Sequence, residues 1–572
     1  MAKVIKTKGI KPRLLVLLLI FGLGFFLRWY RLSSYPAGFH SQEAIVGYRA
    51  YSLLTTGNDE LGRRWPLLFT SFQDYQLPVQ TYLTLVSVKM FGLSVAAVRL
   101  PSAVLGSLAI LALYGVVRRL FPDRDKLATW TALLMAVVPW SIFFSRIAFP
   151  EGLSFFLFLI GLYFLLKSEK NIFYFLGSVL FFSLSVYTAK IACFFIFPFL
   201  FFSWLKEREL KLEKGVVKKI FLTVIIFFLP LFLSYLRLPS LKRSLIDNDF
   251  SLFSDVGIGN GINSMRGNEL EKGSPILGKI FFNKGFWGIK VLENFLGNFT
   301  FGFYFAKGEQ NPLHGWQNFG PLYFILLGPA FYGLYLFLVN KTGYRSLLGF
   351  WFCLIAFFSS FMKTSPDQSK MIFGLPVLLI LTGWGIDTLK NKKIMMFFII
   401  GLVFNFCFVF YDAVVKEPIR SQNNWFSGFE RVPEELEKLS FQEFDKVYLT
   451  DGYAPDPLPL WLFYSRYPAQ RLFNYYDGKL LSYRFWMNQI DSIHVGRIEE
   501  LRAETKEKAL FVVTPKEEES LLSRLLLVDQ LGRPTQENCY EINRKLLGKD
   551  GEVLLLFAIK IGDNCTLVDS KK

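Results

Sequence analysis

Histidine and cysteine are scarce: the 572 residues hold three of the first and five of the second. Neither His40 nor His494 sits in the spacing of a catalytic triad or a metal site, and no CxxC pair occurs, so zinc-ribbon and thioredoxin-like chemistry is excluded. Cys193, Cys353 and Cys407 lie inside apolar runs, and Cys539 and Cys565 near the end are compatible with a bridge or with two thiols. Repeats of short period and low-complexity tracts are also missing, which excludes solenoids and long flexible linkers. Charged residues make up 19% of the chain. Their net +18 would suit a nucleic-acid partner, but its distribution does not. Basic residues gather in the leader, in VVRRLFPDRDK, KSEK, the KEREL and KLEKGVVKK stretch, NKTGYR and LKNKK, in alternate connections between apolar runs. That is the positive-inside pattern of a membrane protein, and no nucleic-acid partner is expected.

What is abundant is apolar. Hydrophobic residues reach 52%, and phenylalanine alone contributes 64. A bilayer core of about 30 Å needs about 20 mainly apolar residues per helix. RLLVLLLIFGLGFFLRWY qualifies first and ends in Arg28, Trp29, Tyr30 and Arg31 rather than at a small-residue cleavage site, so it reads as an uncleaved span. Ten later runs, from PSAVLGSLAILALYGVV to IMMFFIIGLVFNFCFVFY, bring the expectation to about eleven spans. The expected fold is all-α and polytopic, with a small C-terminal α/β soluble domain. Charge bias puts the N-terminus in the cytoplasm of a multi-pass plasma-membrane protein.

Three regions are not ordinary spans: residues 32–93, 238–318 and 412–572, all expected outside. In the first, AIVGYRAYSLL predicts a short helix lying on the membrane surface. PVQTYLTLVSVKMFG reads as another, because a crossing there would move every later basic loop outward. The tail predicts strands at KVYLT, ALFVVT and EVLLLFAIKI and helices at PEELEKL and KEEESLLSRLL.

Residues with chemical potential concentrate on the outward side. Glu43 and Asp74 are two carboxylates that can take a proton from a hydroxyl or help hold a divalent cation against a phosphate; Glu43 would also favour a helix N-terminus in any fold. Arg146, Lys190 and Lys370 stand near span ends, where a cation either binds a lipid phosphate or snorkels to the headgroups. Glu151 shares their position. FTFGFYFAKGEQNPLHGWQNFGPLY sets Glu309 and His314 among aromatic rings, as a lipid or sugar platform or as an interface belt.

Taken in order, several local patterns resemble the GT-C membrane glycosyltransferases, in the branch of protein O-mannosyltransferases and lipid A aminoarabinose transferases, with family-39-like members nearest. They are Gln42-Glu43-Ala44, TGNDELG, SFQDYQLP, FGLSVAAVRLPSAVLG, PWSIFFSRIAFPE, GEQNPLH and SKMIFGLP, spread over residues 14–411. The resemblance implies a GT-C domain over residues 1–411, followed by an outward α/β domain over 412–572. It also implies a polyprenyl-phosphate-linked sugar donor at the membrane lipid, a protein, lipid or glycan acceptor, and transfer on the outer face. A loop acid would activate the acceptor while basic groups stabilise the departing lipid phosphate, which raises Glu43, Asp74, Glu151, Lys190, His314 and Lys370 as site residues. Two departures stand out. Gln42 occupies a position where the family usually carries Asp, and an amide is no base; Gln76 stands where Lys is common. An inactive relative that binds lipid carrier or partner proteins, and a transporter or flippase, are the rival readings.

Overall fold

The computed structural model describes residues 12–70, 75–169, 171–210, 212–237, 252, 256–271, 276, 285–340, 343–475, 489–496, 508–520, 525–528, 534–561 and 565–567. The chain divides into two compact units: Met1–Tyr30 with Pro101–Phe410, and Arg31–Leu100 with Tyr411–Lys572. The tail is therefore one body with the first of the expected outward regions, residues distant in sequence.

The first unit is helical. Its elements include α1 (Pro12–Trp29), the body of α4 (Val95–Leu120), α5 (Asp125–Val137), α6 (Pro139–Phe144), α7 (Pro150–Leu165), α8 (Ile172–Val186), α9 (Lys190–Leu205) and α10 (Val216–Arg237), then helices Leu327–Val339, Arg345–Ser359, Leu375–Asp387 and Lys392–Tyr411. Each of the eleven apolar runs carries helix. Among the described residues, four helices are long and apolar enough to cross a membrane: Val95–Leu120, Val216–Ser234, Gln368–Asp387 and Lys392–Arg420.

Packing in this unit uses close backbone approach and inward polar groups, as expected where the surroundings are apolar. Helices Leu327–Val339 and Leu375–Asp387 meet at Gly333 and Gly385, where an added Cβ would overlap the carbonyl of Leu381 or of Pro329. Pro139 ends α5 and, having no N–H, leaves a carbonyl four residues back without its helical partner. Arg28, fully buried, fills that gap: Nη2 donates to Met135 O at 2.9 Å and Nη1 to Ala136 O at 3.1 Å. Arg146 answers from the other side, donating to Leu27 O at 2.7 Å and Tyr30 O at 2.8 Å, and so satisfies the C-terminal end of α1.

The second unit is built around α2 (Ser41–Thr56) and α3 (Pro78–Phe91). Both helices form where expected, and eleven residues of α2, from Ser41 to Leu53, are buried. It packs against α3 and against helix Pro457–Tyr464 of the tail. The reason is internal ion pairing. Arg49 and Glu60 meet at 2.6 Å and Arg99 and Glu43 at 2.8 Å, all four fully buried, so charged positions that look like a solvent face lie inside. With 14 residues, α3 is about 21 Å long, short of a bilayer core.

The tail's sheet has the order β2-β3-β1-β4-β8-β7, from β1 (Lys446–Thr450), β2 (Gln489–Ile490), β3 (Ile493–Gly496), β4 (Ala509–Val513), β7 (Tyr540–Leu547) and β8 (Val553–Lys560). β1 is parallel to both neighbours, β3 and β4. The three strands read from the sequence, β1, β4 and β8, are the buried ones, because a strand covered on both faces must be apolar throughout. The helix expected over KEEESLLSRLL is shorter than that run: Pro515–Ser520 is helical, whereas Leu525–Val528 is β5, paired with β6 (Pro534–Asn538) and β9 (Cys565–Leu567). Its leucine-rich end takes the ladder partners that tertiary folding brings to it.

Candidate functional site

Four of the residues singled out in the sequence converge in the helical unit. Glu151 lies in the first turn of α7, behind Pro150. Its Oε1 accepts from Lys370 Nζ at 2.7 Å. Lys370 belongs to the short helix Gln368–Met371, whose N-cap is Asp367: Oδ1 accepts from Ser369 N at 2.7 Å and Lys370 N at 3.2 Å. The other oxygen of Asp367 faces His314 Nδ1 at 3.0 Å. Glu309 completes the group, with Oε2 accepting from Gln368 N at 2.7 Å and Oε1 from Asn311 N at 3.1 Å. Gly308 lets the chain enter this connection at φ +66, against the Phe319 carbonyl where a Cβ would not fit.

The charges in this cluster are interdependent. Burial pushes the Asp367 carboxyl up, but His314 and then Lys370 outweigh it and hold the group well below the ordinary carboxylate range. Burial pulls His314 down; Asp367, with Glu151 and Glu309 beyond it, prevails and holds the imidazole above its usual value. Burial followed by the charge of Asp367 raises Glu309. One oxygen from each acid and one nitrogen of His314 lie within 4.8 Å of one another, a set of N and O donors that a divalent cation accepts. The cluster thus offers a cation, an imidazole and two carboxylates of different proton affinity beside one another, the chemistry needed to hold and release a phosphate.

The remaining candidates stand elsewhere. Arg146 is engaged with the end of α1, and Lys190, half-buried, opens α9. In the second unit, Glu43 is fully buried: Arg99 donates Nε to Oε1 at 3.0 Å and Nη2 to Oε2 at 2.8 Å. The same guanidinium reaches the carbonyls of Leu32, Pro36 and Gly38, so the pair ties the approach to α2. Gln42 is exposed, and its N–H is capped by His40 Nδ1 at 3.2 Å. Gln76 Oε1 accepts from Arg49 Nη1 at 2.6 Å; a lysine there would present a cation to a cation. Asp74 lies outside the described residues, between Phe69 and Gln76, whose backbones pair.

Residues 76–235 match the family model described as dolichyl-phosphate-mannose-protein mannosyltransferase. ArnT from Cupriavidus metallidurans in the apo state superposes with a TM-score of 0.51 at 12% identity, over 96% of this chain and 97% of that one. The same protein bound to undecaprenyl phosphate gives 0.50 and 11%, with the same coverage. No curated protein matches the sequence. The chain has the GT-C fold. The likeness read from its motifs to the mannosyltransferase and aminoarabinose-transferase branch holds.

Within this GT-C chain, reading the sequence missed Asp367, Arg99 and Arg49. Asp367 carried a signal: Pro-Asp directly before an apolar helix is an N-cap pattern, and the cap leaves its second oxygen for His314. Arg99 carried none, since an arginine within VAAVRLPSAV is indistinguishable from a snorkelling one until its partners are known.

Proposed function

We propose that the chain is a membrane glycosyltransferase that takes a sugar from a polyprenyl-phosphate-linked donor and passes it to an acceptor on the outer face of the plasma membrane. The observation that carries this reading is the convergence of Glu151, Glu309, His314 and Lys370, from three separate segments, on one buried cluster. Lys370 and His314 would stabilise the departing phosphate, with Arg146 and Lys190 as further candidate contacts. Glu309 and Asp367 would govern the charge on His314 or hold a divalent cation. Glu43 or Asp74 would help position the acceptor, with Gln42 and Gln76 neutral where the resemblance expects Asp and Lys. The resemblance to ArnT, whose structure holds undecaprenyl phosphate, supports a carrier of this class. The disulfide-bonded state of Cys539 supports an outward tail, since such bonds persist in oxidising compartments.

A second reading is favoured by one observation: Glu43 gives both oxygens to Arg99 and Gln42 is an amide, as in a relative that binds the carrier without transfer. The two readings separate in a single assay. Purified protein in lipid is given radiolabelled sugar on a panel of polyprenyl phosphates. Transfer that falls at least about 100-fold in Lys370→Met and in His314→Ala supports the transferase. Carrier binding without transfer from any donor supports the alternative.

A further inference from the structure

The head of α2 has three polar residues, and none presents an uncommitted carboxylate: Ser41 is a hydroxyl, Gln42 is an amide and Glu43 is held by Arg99. A side chain from the tail does. Asp456 is the N-cap of helix Pro457–Tyr464, a place where aspartate ordinarily accepts from the N–H of the second or third helical residue. Here the helix begins Pro457-Leu458-Pro459. Proline has no N–H, so the first and third donors are deleted, and the carboxyl makes no capping bond. Among the described residues it has no ion pair or hydrogen bond. The backbone of Asp456 is fixed against α2, its carbonyl accepting from the buried Ser41 hydroxyl at 2.7 Å. Helix Pro457–Tyr464 packs tightly along α2, where a Cβ on Gly47 would meet the Phe463 ring at 2.6 Å. The backbone of Asp456 is thus held against Ser41, the residue before Gln42, within one compact unit, with its carboxyl unspent.

We infer that Asp456 is the proton acceptor for a hydroxyl-bearing sugar acceptor, the carboxylate that the Gln42-Glu43 pair does not provide. The inference rests on the transferase reading above. As the acceptor oxygen bonds to the anomeric carbon, its proton passes to the Asp456 carboxylate. The bond from that carbon to the phosphate oxygen breaks, and its electron pair leaves with the polyprenyl phosphate. Burial lifts the Asp456 carboxyl to about 7, where a general base works best near neutral pH. Pro459 removes one of the two N–H groups that could draw that proton affinity back down, and the other, on Leu458, makes no bond to the carboxyl.

The test uses the full-length protein in lipid and the donor panel. With wild type active, Asp456→Asn should lower kcat by about 100-fold or more and leave the donor KM within about twofold. Added formate should restore part of the rate to Asp456→Gly, an effect that a purely structural role does not give. Pro459→Ala, which returns a capping N–H, should slow transfer while preserving the carboxylate. Asp456→Asn working at the wild-type rate overturns the inference and leaves the transferase reading intact, as does a dead Asp456→Gly that formate does not rescue. Wild type silent with every donor overturns both. Independently of turnover, dicyclohexylcarbodiimide at pH 7 should modify Asp456, read by mass spectrometry; an unmodified Asp456 also overturns it.

Discussion

Glu43 shows how much a side chain's meaning depends on its partner. A carboxylate in the first turn of a helix suggests acid–base chemistry or a helix-dipole contact, yet in the folded chain it neutralises a fully buried arginine. Removing it strands that charge. Glu43→Ala should therefore destabilise the second unit by about 3–5 kcal/mol, seen as a lower melting temperature in detergent, and unchanged melting would refute the pairing argument. Activity lost in a Glu43 variant has to be read beside its melting curve for this reason.

His314 and Asp367 make a second prediction at the same scale. The lowered Asp367 contributes stability above the ordinary aspartate value of about 4 and loses it as pH falls through its folded value. The raised His314 contributes below about 6.5 and loses it as pH rises through its folded value. The pair is strongest between those limits. Asp367→Asn should drop the imidazole toward neutrality, and diethylpyrocarbonate at pH 7 should then acylate His314 faster than in wild type; equal rates would mean that the ion pair does not set its protonation.

At the scale of elements, the contact between helices Leu327–Val339 and Leu375–Asp387 depends on two glycines. Because the obstacle at each is a backbone carbonyl rather than a movable side chain, no rotamer relieves a substitution. Gly385→Val should separate the helices and lower the yield of folded protein, while Gly349→Val, with only the tip of the Phe337 ring nearby, should be tolerated. Size-exclusion profiles and melting temperatures in detergent compare the two, and equal behaviour would contradict close backbone packing. Proline acts as an element-scale device too. At 139 it ends α5 and calls in Arg28; at 457 and 459 it opens the helix that Asp456 N-caps without a side-chain bond.

For the whole molecule, the division into units joins residues 31–100 with the tail, so a covalent bond in the tail supports residues 31–100 as well. Cys539 is disulfide-bonded, while Cys193, Cys353 and Cys407 keep their thiols. Cys539→Ser should cost about 2–5 kcal/mol and raise proteolysis of the second unit, including cleavage between α2 and α3. Cleavage confined to the tail would show that the two segments do not fold together.

The sequence by itself determined where the helices of the first unit run, since each of the eleven apolar runs carries helix and an apolar segment in a membrane must satisfy its backbone internally. It also determined the buried central strands, apolar because both faces are covered, and the GT-C likeness, read from the order of its local motifs. Only the tertiary structure decided which charges are chemistry and which are clamps. Arg99 against Glu43, Arg49 against Gln76 and Asp367 against His314 are contacts across 27 to 56 positions of chain, and the placement of Asp456 beside Ser41 spans 415. Periodicity reports on neighbours within a few residues, and the proton affinity of a buried group is set by whatever the fold brings against it.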